Sequence, residues 1–227
     1  MKEDERLYFS FCEFLLMMEF SGEDDYILFQ EEPLPSKEQM LDALLKLSVR
    51  GLLEEKDGRF VPTPEGAFFR ELHAARHAFY LESVRPVRNS TVLYPASGKE
   101  TFYMVEIVPA RENLQYRLSR ITRKGIREWL FDSGILEEPV LSAEDAVELN
   151  SLAEEDADQS VPEDRQVIFG LRDYGPGGSI LAEAEIFQTG AEQYIAGPDA
   201  APAEVFTEEA LDRLLDRCFG KEEDGHS

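Results

Sequence analysis

The chain has 227 residues and a formal net charge of −24 at pH 7, with 43% hydrophobic and 31% charged residues. This length allows one or two domains, and the composition excludes general disorder. Because an acidic surface repels phosphate backbones, the charge favours solubility or basic protein partners over nucleic acid.

The N-terminal stretch predicts an amphipathic helix over residues 5–20, and residues 26–29 predict either a short strand or an apolar tether. The longest apolar run, Phe14 to Met18, is far shorter than the roughly 20 residues that span a bilayer, so we predict no membrane insertion. The acidic start of the chain predicts that no signal peptide is present. Cys12 and Cys218 lack a C-x-x-C spacing and are typical of reduced thiols, which indicates a cytoplasmic protein.

Residues 36–83 predict a helix, a two-stranded hairpin and a further helix. The first helix, over residues 36–49, has an apolar face made of Met40, Leu41, Leu44, Leu45, Leu47 and Val49. Gly51 suits the end of a helix, and Asp57-Gly58 predicts a tight turn between two strands. Pro64 and Glu65 favour a helix start, so a third helix is expected over residues 65–83. This order resembles a winged helix and predicts a first domain over residues 1–84.

The helix over 36–49 and the hairpin carry four basic against five acidic residues, whereas winged helices that bind DNA present several Lys or Arg residues to phosphates. The basic and acidic residues of the helix over 36–49 and of the hairpin are Lys37, Lys46, Lys56 and Arg59 against Glu38, Asp42, Glu54, Glu55 and Asp57. We therefore expect the unit to serve in protein contact or dimerisation and not in DNA binding.

A second domain is predicted over residues 85–220, and it contains two β-β-β-α units. The first, at about residues 91–134, has strands at 91–94, 101–110 and 114–122 and a helix at 123–133. The second, at about residues 166–220, has strands at 166–174, 179–188 and 193–196 and a helix at 208–219. The predicted fold class is thus α+β, with an antiparallel sheet backed by helices, either as one sheet or as two. A disordered tail is expected over residues 221–227.

The sequence indicates no catalytic or cofactor site. His73 and His77 are four residues apart on a predicted helix, a spacing that can chelate a metal, but plain helix histidines are the favoured interpretation. The segment 142–158 predicts a short helix followed by an acidic linker, for which metal binding is the alternative. A phosphate loop and a nucleophile motif are both lacking, so we predict no enzyme, no metal and no cofactor.

Two features of the first β-β-β-α unit are candidate partner-binding sites. The strand over 101–110 is apolar on both faces, and the face that carries Phe102 and Met104 either is buried by the second unit or docks a partner. A concentrated run of basic side chains follows, made of Arg117, Arg120, Arg123, Lys124 and Arg127. This run either forms a solvated face that pairs with the acidic linker or binds an anion or acidic partner.

The order of motifs is similar to that of a known family. A proline loop at residues 33–35 precedes LDALLKLSVRGLL at 41–53, then DGRF at 57–60, a predicted helix and the duplicated strand-rich units. This order resembles the EspG family of cytosolic chaperones that serve type VII (ESX) secretion systems. The resemblance implies a quasi-twofold α+β architecture, no enzymatic activity and the binding of helical-hairpin secretion substrates. It assigns no partner-binding residue in this sequence.

The sequence therefore predicts a non-enzymatic cytosolic adaptor or chaperone that binds a protein partner, in particular a type VII secretion substrate. The alternative is a winged-helix transcriptional regulator whose C-terminal domain senses a ligand or dimerises. An enzyme whose site the sequence does not reveal is a third alternative. The identity of the partner and the oligomeric state are left open.

Overall fold

The structure, a computed structural model, describes residues 6–22, 35–84, 89–96, 100–109, 114–137, 165–190, 192–197 and 203–219. Its helices are α1 Phe11–Ser21, α2 Lys37–Val49, α3 Phe68–His73, α4 Arg123–Asp132 and α5 Glu208–Phe219. Its strands are β1 Leu7–Phe9, β2 Leu53–Lys56, β3 Arg59–Pro62, β4 Ala78–Ser83, β5 Asn89–Pro95, β6 Thr101–Pro109, β7 Leu114–Thr122, β8 Gln166–Tyr174, β9 Ile180–Thr189, β10 Glu192–Ala196 and β11 Glu204–Val205.

Nine of these strands form one antiparallel sheet in the order β1-β7-β6-β5-β4-β8-β9-β10-β11, and β2 pairs with β3 separately. The predicted α+β class is thus confirmed, and of the two alternatives the single sheet is observed. None of the helices in the described ranges combines the length and the apolar content needed to cross a bilayer. The predictions for residues 26–29, 142–158 and 221–227 lie outside the described residues.

The chain divides into two compact units. Unit 1 comprises Met1–Phe79, Thr91–Thr122 and Tyr174–Ser179, and unit 2 comprises Tyr80–Ser90, Arg123–Asp173 and Ile180–Ser227. Each unit therefore draws on both of the stretches that the sequence assigns to domains 1–84 and 85–220.

The first predicted helix, over residues 5–20, is wrong at its start. Residues Leu7–Phe9 form strand β1, which pairs antiparallel with β7, and the helix begins only at Phe11. Ser10 explains the boundary, because its hydroxyl accepts a hydrogen bond from the Glu13 amide while the Glu13 carboxylate accepts one from the Ser10 amide. This reciprocal capping box fixes the first turn of α1 and leaves the preceding residues extended.

The third predicted helix, over residues 65–83, is also wrong for most of its length. Helix α3 has six residues, Phe68–His73, and Ala78–Ser83 form strand β4 of the large sheet. In β4 the side chains of Phe79 and Leu81 are buried while Tyr80 between them is only partly covered. This alternation has the period of a strand, so sheet pairing overrides the helix-favouring composition.

The hairpin between α2 and α3 forms as predicted. Asp57 and Gly58 both have positive φ, 53° and 75°, at the turn between β2 and β3. Thr63 follows β3, and its hydroxyl donates to the Gly51 carbonyl at 2.6 Å and accepts from the Gly66 amide at 3.3 Å. One side chain thus ties the end of the hairpin to the turn that ends α2, which fixes the orientation of α2 within unit 1.

The core of unit 1 is an aromatic cluster between its helices and its strands. Phe69 of α3 meets Phe9 of β1 edge-on at 5.3 Å and Phe14 of α1 at 5.6 Å between ring centroids. Phe14 also stacks on Tyr116 of β7 at 5.4 Å. All four rings are buried. Such aromatic pairs add specific geometry to apolar burial, so they hold α1 and α3 against one face of β1 and β7.

Both predicted β-β-β-α units are present. The strands β5, β6 and β7 and the helix α4 form the first, and β8, β9, β10 and α5 form the second, with bounds within two residues of the predicted ones. Strands β6 and β7 pair along their whole length, from Thr101 opposite Thr122 to Pro109 opposite Leu114. Helix α5 buries Ala210, Leu211, Leu214 and Leu215, which lie on one helical face.

Candidate functional site

Phe102 and Met104, the apolar members of the predicted binding site, are buried in the structure. They lie on one face of β6, opposite Ile121 and Ser119 of β7, and the Phe102 ring meets Phe79 edge-on at 6.2 Å. As placed, these side chains offer no surface to a partner. Their role in binding stays a prediction that requires a rearrangement of unit 1.

Arg117, the first basic residue of the predicted site, neutralises a buried carboxylate. Its guanidinium donates two hydrogen bonds of 2.7 Å to Glu106, which lies directly opposite on β6 and whose side chain is only 4% exposed. The hydrogen bonds that Arg117 donates to Glu106 raise the pKa of Arg117 above its usual value. A bidentate pair of this kind satisfies both charges, so Arg117 is committed to the sheet.

Arg120 lies over an aromatic ring of the neighbouring strand. Its guanidinium carbon is 5.6 Å from the centroid of the Tyr103 ring, and the two residues are opposite each other in the β6–β7 register. The Tyr103 hydroxyl donates a hydrogen bond of 3.0 Å to Glu71 of α3. Burial, followed by the bond to Glu71, raises the pKa of Tyr103 to about 12. Arg120 is therefore part of an internal polar group of unit 1.

The other three basic residues lie on α4, and two of them pair with acidic residues of α5 within unit 2. Arg123 forms an ion pair with Asp216. Arg127 pairs with Glu208 at 2.5 Å and with Asp212 at 3.3 Å. The three acidic residues are spaced by four along α5, so they lie on one helical face. Their partners on α4 are spaced by four as well, and the two helices thus present matching charges.

Lys124 pairs with Glu128 on its own helix at 3.8 Å, and both side chains are largely exposed. All five basic residues thus have acidic or aromatic partners among the described residues. For Arg123 and Arg127 these partners lie on α5 and not in the linker at 154–158, which is outside the described residues. Binding of an anion or an acidic partner by this run stays a prediction.

The two histidines considered for metal binding do not share a helix. Helix α3 ends at His73, where the Ala74 amide donates a hydrogen bond to the Arg70 carbonyl at 2.9 Å and the Ala75 amide donates one to the Leu72 carbonyl at 3.2 Å. His77 lies beyond this end. The imidazole of His73 packs against the backbone of Gly22, where a Cβ atom would overlap the ring. Within the described ranges, no group of three or more His, Cys, Asp or Glu side chains is placed to hold a metal ion.

The structure reveals a candidate surface that the sequence interpretation missed, and it lies on α2. Leu41, Leu45 and Val49 are 51%, 66% and 88% exposed, whereas Ala43 and Leu47 on the opposite side are buried. The three exposed residues are four apart, so they form a continuous apolar row along one face of the helix. We call this row the α2 stripe. The predicted single apolar face is thus wrong, because α2 has apolar residues on both sides.

A signal for the stripe is present in the sequence. At 100° per residue, the apolar positions from Met40 to Val49 extend around more than half of the helix, which is wider than one buried face requires. A helix that is apolar over such a range either is buried on all sides or exposes part of its apolar surface. In the structure the second case holds, because Ala43 and Leu47 are buried and Leu41, Leu45 and Val49 are exposed.

The charges near the stripe cancel one another. Lys46 pairs with Asp42 at 2.7 Å on the surface of α2, and Asp42 raises the pKa of Lys46. On the hairpin, Lys56 pairs with Glu54 at 2.8 Å. Arg50, at the end of α2, pairs with Glu13 at 3.1 Å and lies over the Phe9 ring. These basic groups are thus matched by acids, and the Asp42–Lys46 pair beside the stripe is neutral overall.

Comparison with models of known protein families gives no match to this sequence, and comparison with curated proteins gives no relative. The resemblance to the EspG family therefore stays a prediction that rests on the motif order alone.

Proposed function

We propose that the chain is a non-enzymatic adaptor that binds another protein through the α2 stripe. The observation that carries this proposal is the exposure of Leu41, Leu45 and Val49 on a helix that is anchored by its opposite side. The motif order that resembles secretion chaperones favours a type VII secretion substrate as the partner and the cytoplasm as the compartment. The acidic charge of the chain favours a partner with a basic surface around its apolar contact.

Apolar burial supplies the driving force for such binding. Complete burial of a Leu or Val side chain contributes about 1.5–3 kcal/mol, so the three partly exposed residues contribute roughly 5 kcal/mol together. Association costs on the order of 4 kcal/mol or more in lost translational and rotational freedom. A stable complex therefore needs further contacts around the stripe, and the stripe is its apolar centre.

Two buried polar groups of unit 1 have partners inside the fold, which favours a non-enzymatic role. Glu106 is held by two hydrogen bonds from Arg117, and the Tyr103 hydroxyl donates to Glu71. A catalytic acid, base or nucleophile must reach a substrate, whereas these groups serve the packing of unit 1.

A winged-helix regulator is the second candidate, because the order α2, β2, β3 is that of a helix followed by a hairpin. The pairing of Lys46 and Lys56 with acidic neighbours favours the adaptor, since DNA binding requires basic groups that can contact phosphates. Binding of duplex DNA that weakens steeply with added salt would favour the regulator.

Substitution of the stripe tests the adaptor. The intact chain, the variant Leu45→Glu and the control Leu181→Glu are used to capture proteins from a lysate of the source cells. Leu181 is a half-exposed leucine of β9, so its substitution makes the same change of charge away from the stripe. We expect a stoichiometric partner with the intact chain and the control, and about tenfold less with Leu45→Glu, since a carboxylate in an apolar contact remains unpaired. Equal recovery with all three chains would refute the assignment of the stripe.

A further inference from the structure

We infer that a second copy of this chain covers the α2 stripe when no other protein does, through an antiparallel contact between two α2 helices. This inference rests on the proposed function, because it assigns an occupant to the same stripe. It also gives that function a regulatory step, since the two copies must separate before either stripe can bind another protein.

The geometry of the stripe suits a two-fold contact. Leu41, Leu45 and Val49 extend along about 12 Å of α2, at 1.5 Å per residue. A two-fold axis near residues 44 and 45 places the Leu45 side chains of the two copies side by side and Leu41 of each copy near Val49 of the other. An interface of this kind uses the same surface twice, so one exposed row is sufficient to build both sides.

The charges beside the stripe select the antiparallel direction. Asp42 and Lys46 lie on the same border of the stripe, where their side chains are 63% and 59% exposed. In an antiparallel pair the matching borders of the two helices meet in reverse order, so Asp42 of each copy faces Lys46 of the other. A parallel pair would instead place this border on opposite sides of the two helices, so Asp42 and Lys46 of one copy would meet neither residue of the other and no such ion pairs would form.

The net charge of α2 also favours this helix as the contact between two acidic chains. Over Lys37–Val49 two lysines balance Glu38 and Asp42, whereas the whole chain has a charge of −24. Two copies repel each other over an acidic surface, and this repulsion is weakest where the local charge is zero. In a dimer formed through α2, the surfaces that meet are therefore the neutral and apolar parts of unit 1 in each copy.

The size of the stripe predicts a reversible dimer. Stable protein interfaces bury about 1,200 Å² or more in total, which is more than three side chains from each copy supply. The pair therefore separates on dilution, and a partner that makes contacts beyond the stripe displaces the second copy. This behaviour suits an adaptor that shields its apolar surface until a partner is present.

Sedimentation of the purified intact chain over a range of concentrations tests the inference. We expect a monomer at low concentration and a dimer at high concentration. Leu45→Glu should raise the dissociation constant of the dimer at least about tenfold, because two carboxylates would meet at the two-fold axis. Leu181→Glu is the matched control and should leave that constant unchanged.

A charge exchange tests the antiparallel direction separately. Asp42→Lys makes the border of the stripe entirely basic and Lys46→Asp makes it entirely acidic, so each variant should dimerise less than the intact chain. A mixture of the two variants should form a heterodimer, since the basic border of one meets the acidic border of the other. Cross-linking of differently labelled variants measures this preference.

The outcomes separate the inference from the proposed function. A chain that remains a monomer up to several hundred micromolar, or a dimer that Leu45→Glu leaves unchanged, overturns the inference. If such a monomer still loses its captured partner on Leu45→Glu, only the inference fails. If the dimer depends on the stripe and partner capture does not, the inference stands and the proposed function fails. A mixture of charge variants without heterodimer overturns the antiparallel contact.

Discussion

Helices α2 and α5 have similar lengths and leucine contents, but they use their leucines in opposite ways. In α5 the apolar residues Ala210, Leu211, Leu214 and Leu215 are buried and the acidic residues face Arg123 and Arg127 of α4. In α2 the apolar residues lie on two sides, and only one side is buried. Apolar content therefore predicts a helix, whereas the angular range of the apolar positions around the helix predicts whether some of them remain exposed.

A matched pair of leucine truncations gives the largest expected effect and tests this comparison directly. Leu214→Ala in α5 removes a buried side chain and should lower the free energy of unfolding by about 3 kcal/mol. Leu45→Ala in α2 removes an exposed side chain and should change it by no more than about 0.5 kcal/mol. Urea unfolding of dilute protein, followed by circular dichroism, measures both values. Similar losses for the two variants would show that the stripe is covered in the monomer.

The ion pairs Arg117–Glu106 and Lys124–Glu128 differ in their burial, and Arg117→Ala tests the buried one. Loss of this guanidinium leaves the Glu106 carboxylate buried without its bidentate partner, so we expect a loss of about 3 kcal/mol in the free energy of unfolding. Lys124→Ala is the control, since its partner Glu128 is exposed and such pairs contribute about 0.5 kcal/mol. Equal effects in urea unfolding would mean that Glu106 finds another partner.

Much of the strand-rich part of the fold could be predicted from the sequence, because the residues that specify each of these elements lie within the element itself. Alternating apolar residues, the Asp57-Gly58 turn and the amphipathic period of 208–219 each specify an element without reference to distant residues. Strands β1 and β4 were not predicted, because their extended conformation depends on pairing with neighbouring strands. Residues 78–83 favour a helix locally, and only a neighbouring strand makes the extended form the stable one.

The candidate site could be predicted only in part, for the same physical reason. Arg123 and Asp216 are 93 residues apart, so the sequence identifies a basic run but not the helix that neutralises it. Phe102 and Met104 lie on a strand that is apolar on both faces, and the sequence does not show which face is covered. The α2 stripe depends on which side of the helix contacts unit 1, which is a property of the tertiary structure.

A close contact at the end of α1 should have an intermediate effect. Gly22→Ala places a methyl group where the His73 ring lies, so the ring must move, and we expect a loss of about 1–2 kcal/mol in the free energy of unfolding. The backbone of Gly22 is extended, so the effect comes from the contact and not from backbone strain. His73→Ala in the same chain should restore most of the loss. A double variant as unstable as Gly22→Ala would point to another cause.

The smallest effect concerns the buried hydroxyl of unit 1 and appears only at high pH. The pKa of Tyr103 is raised from 10.0 to about 12 by burial and by the bond to Glu71, so the folded state favours the protonated phenol. The corresponding stabilisation is fully present below pH 10 and is lost as the pH rises through 12, because the unfolded chain releases its proton first. Tyr103→Phe cannot ionise at this position and should lack that part of the loss. The difference in unfolding free energy between the two proteins, measured by urea unfolding at pH 9 and pH 11.5, should therefore shift in favour of Tyr103→Phe at the higher pH. An unchanged difference would show that the hydroxyl is open to water and that the contact with Glu71 does not hold α3 against β6.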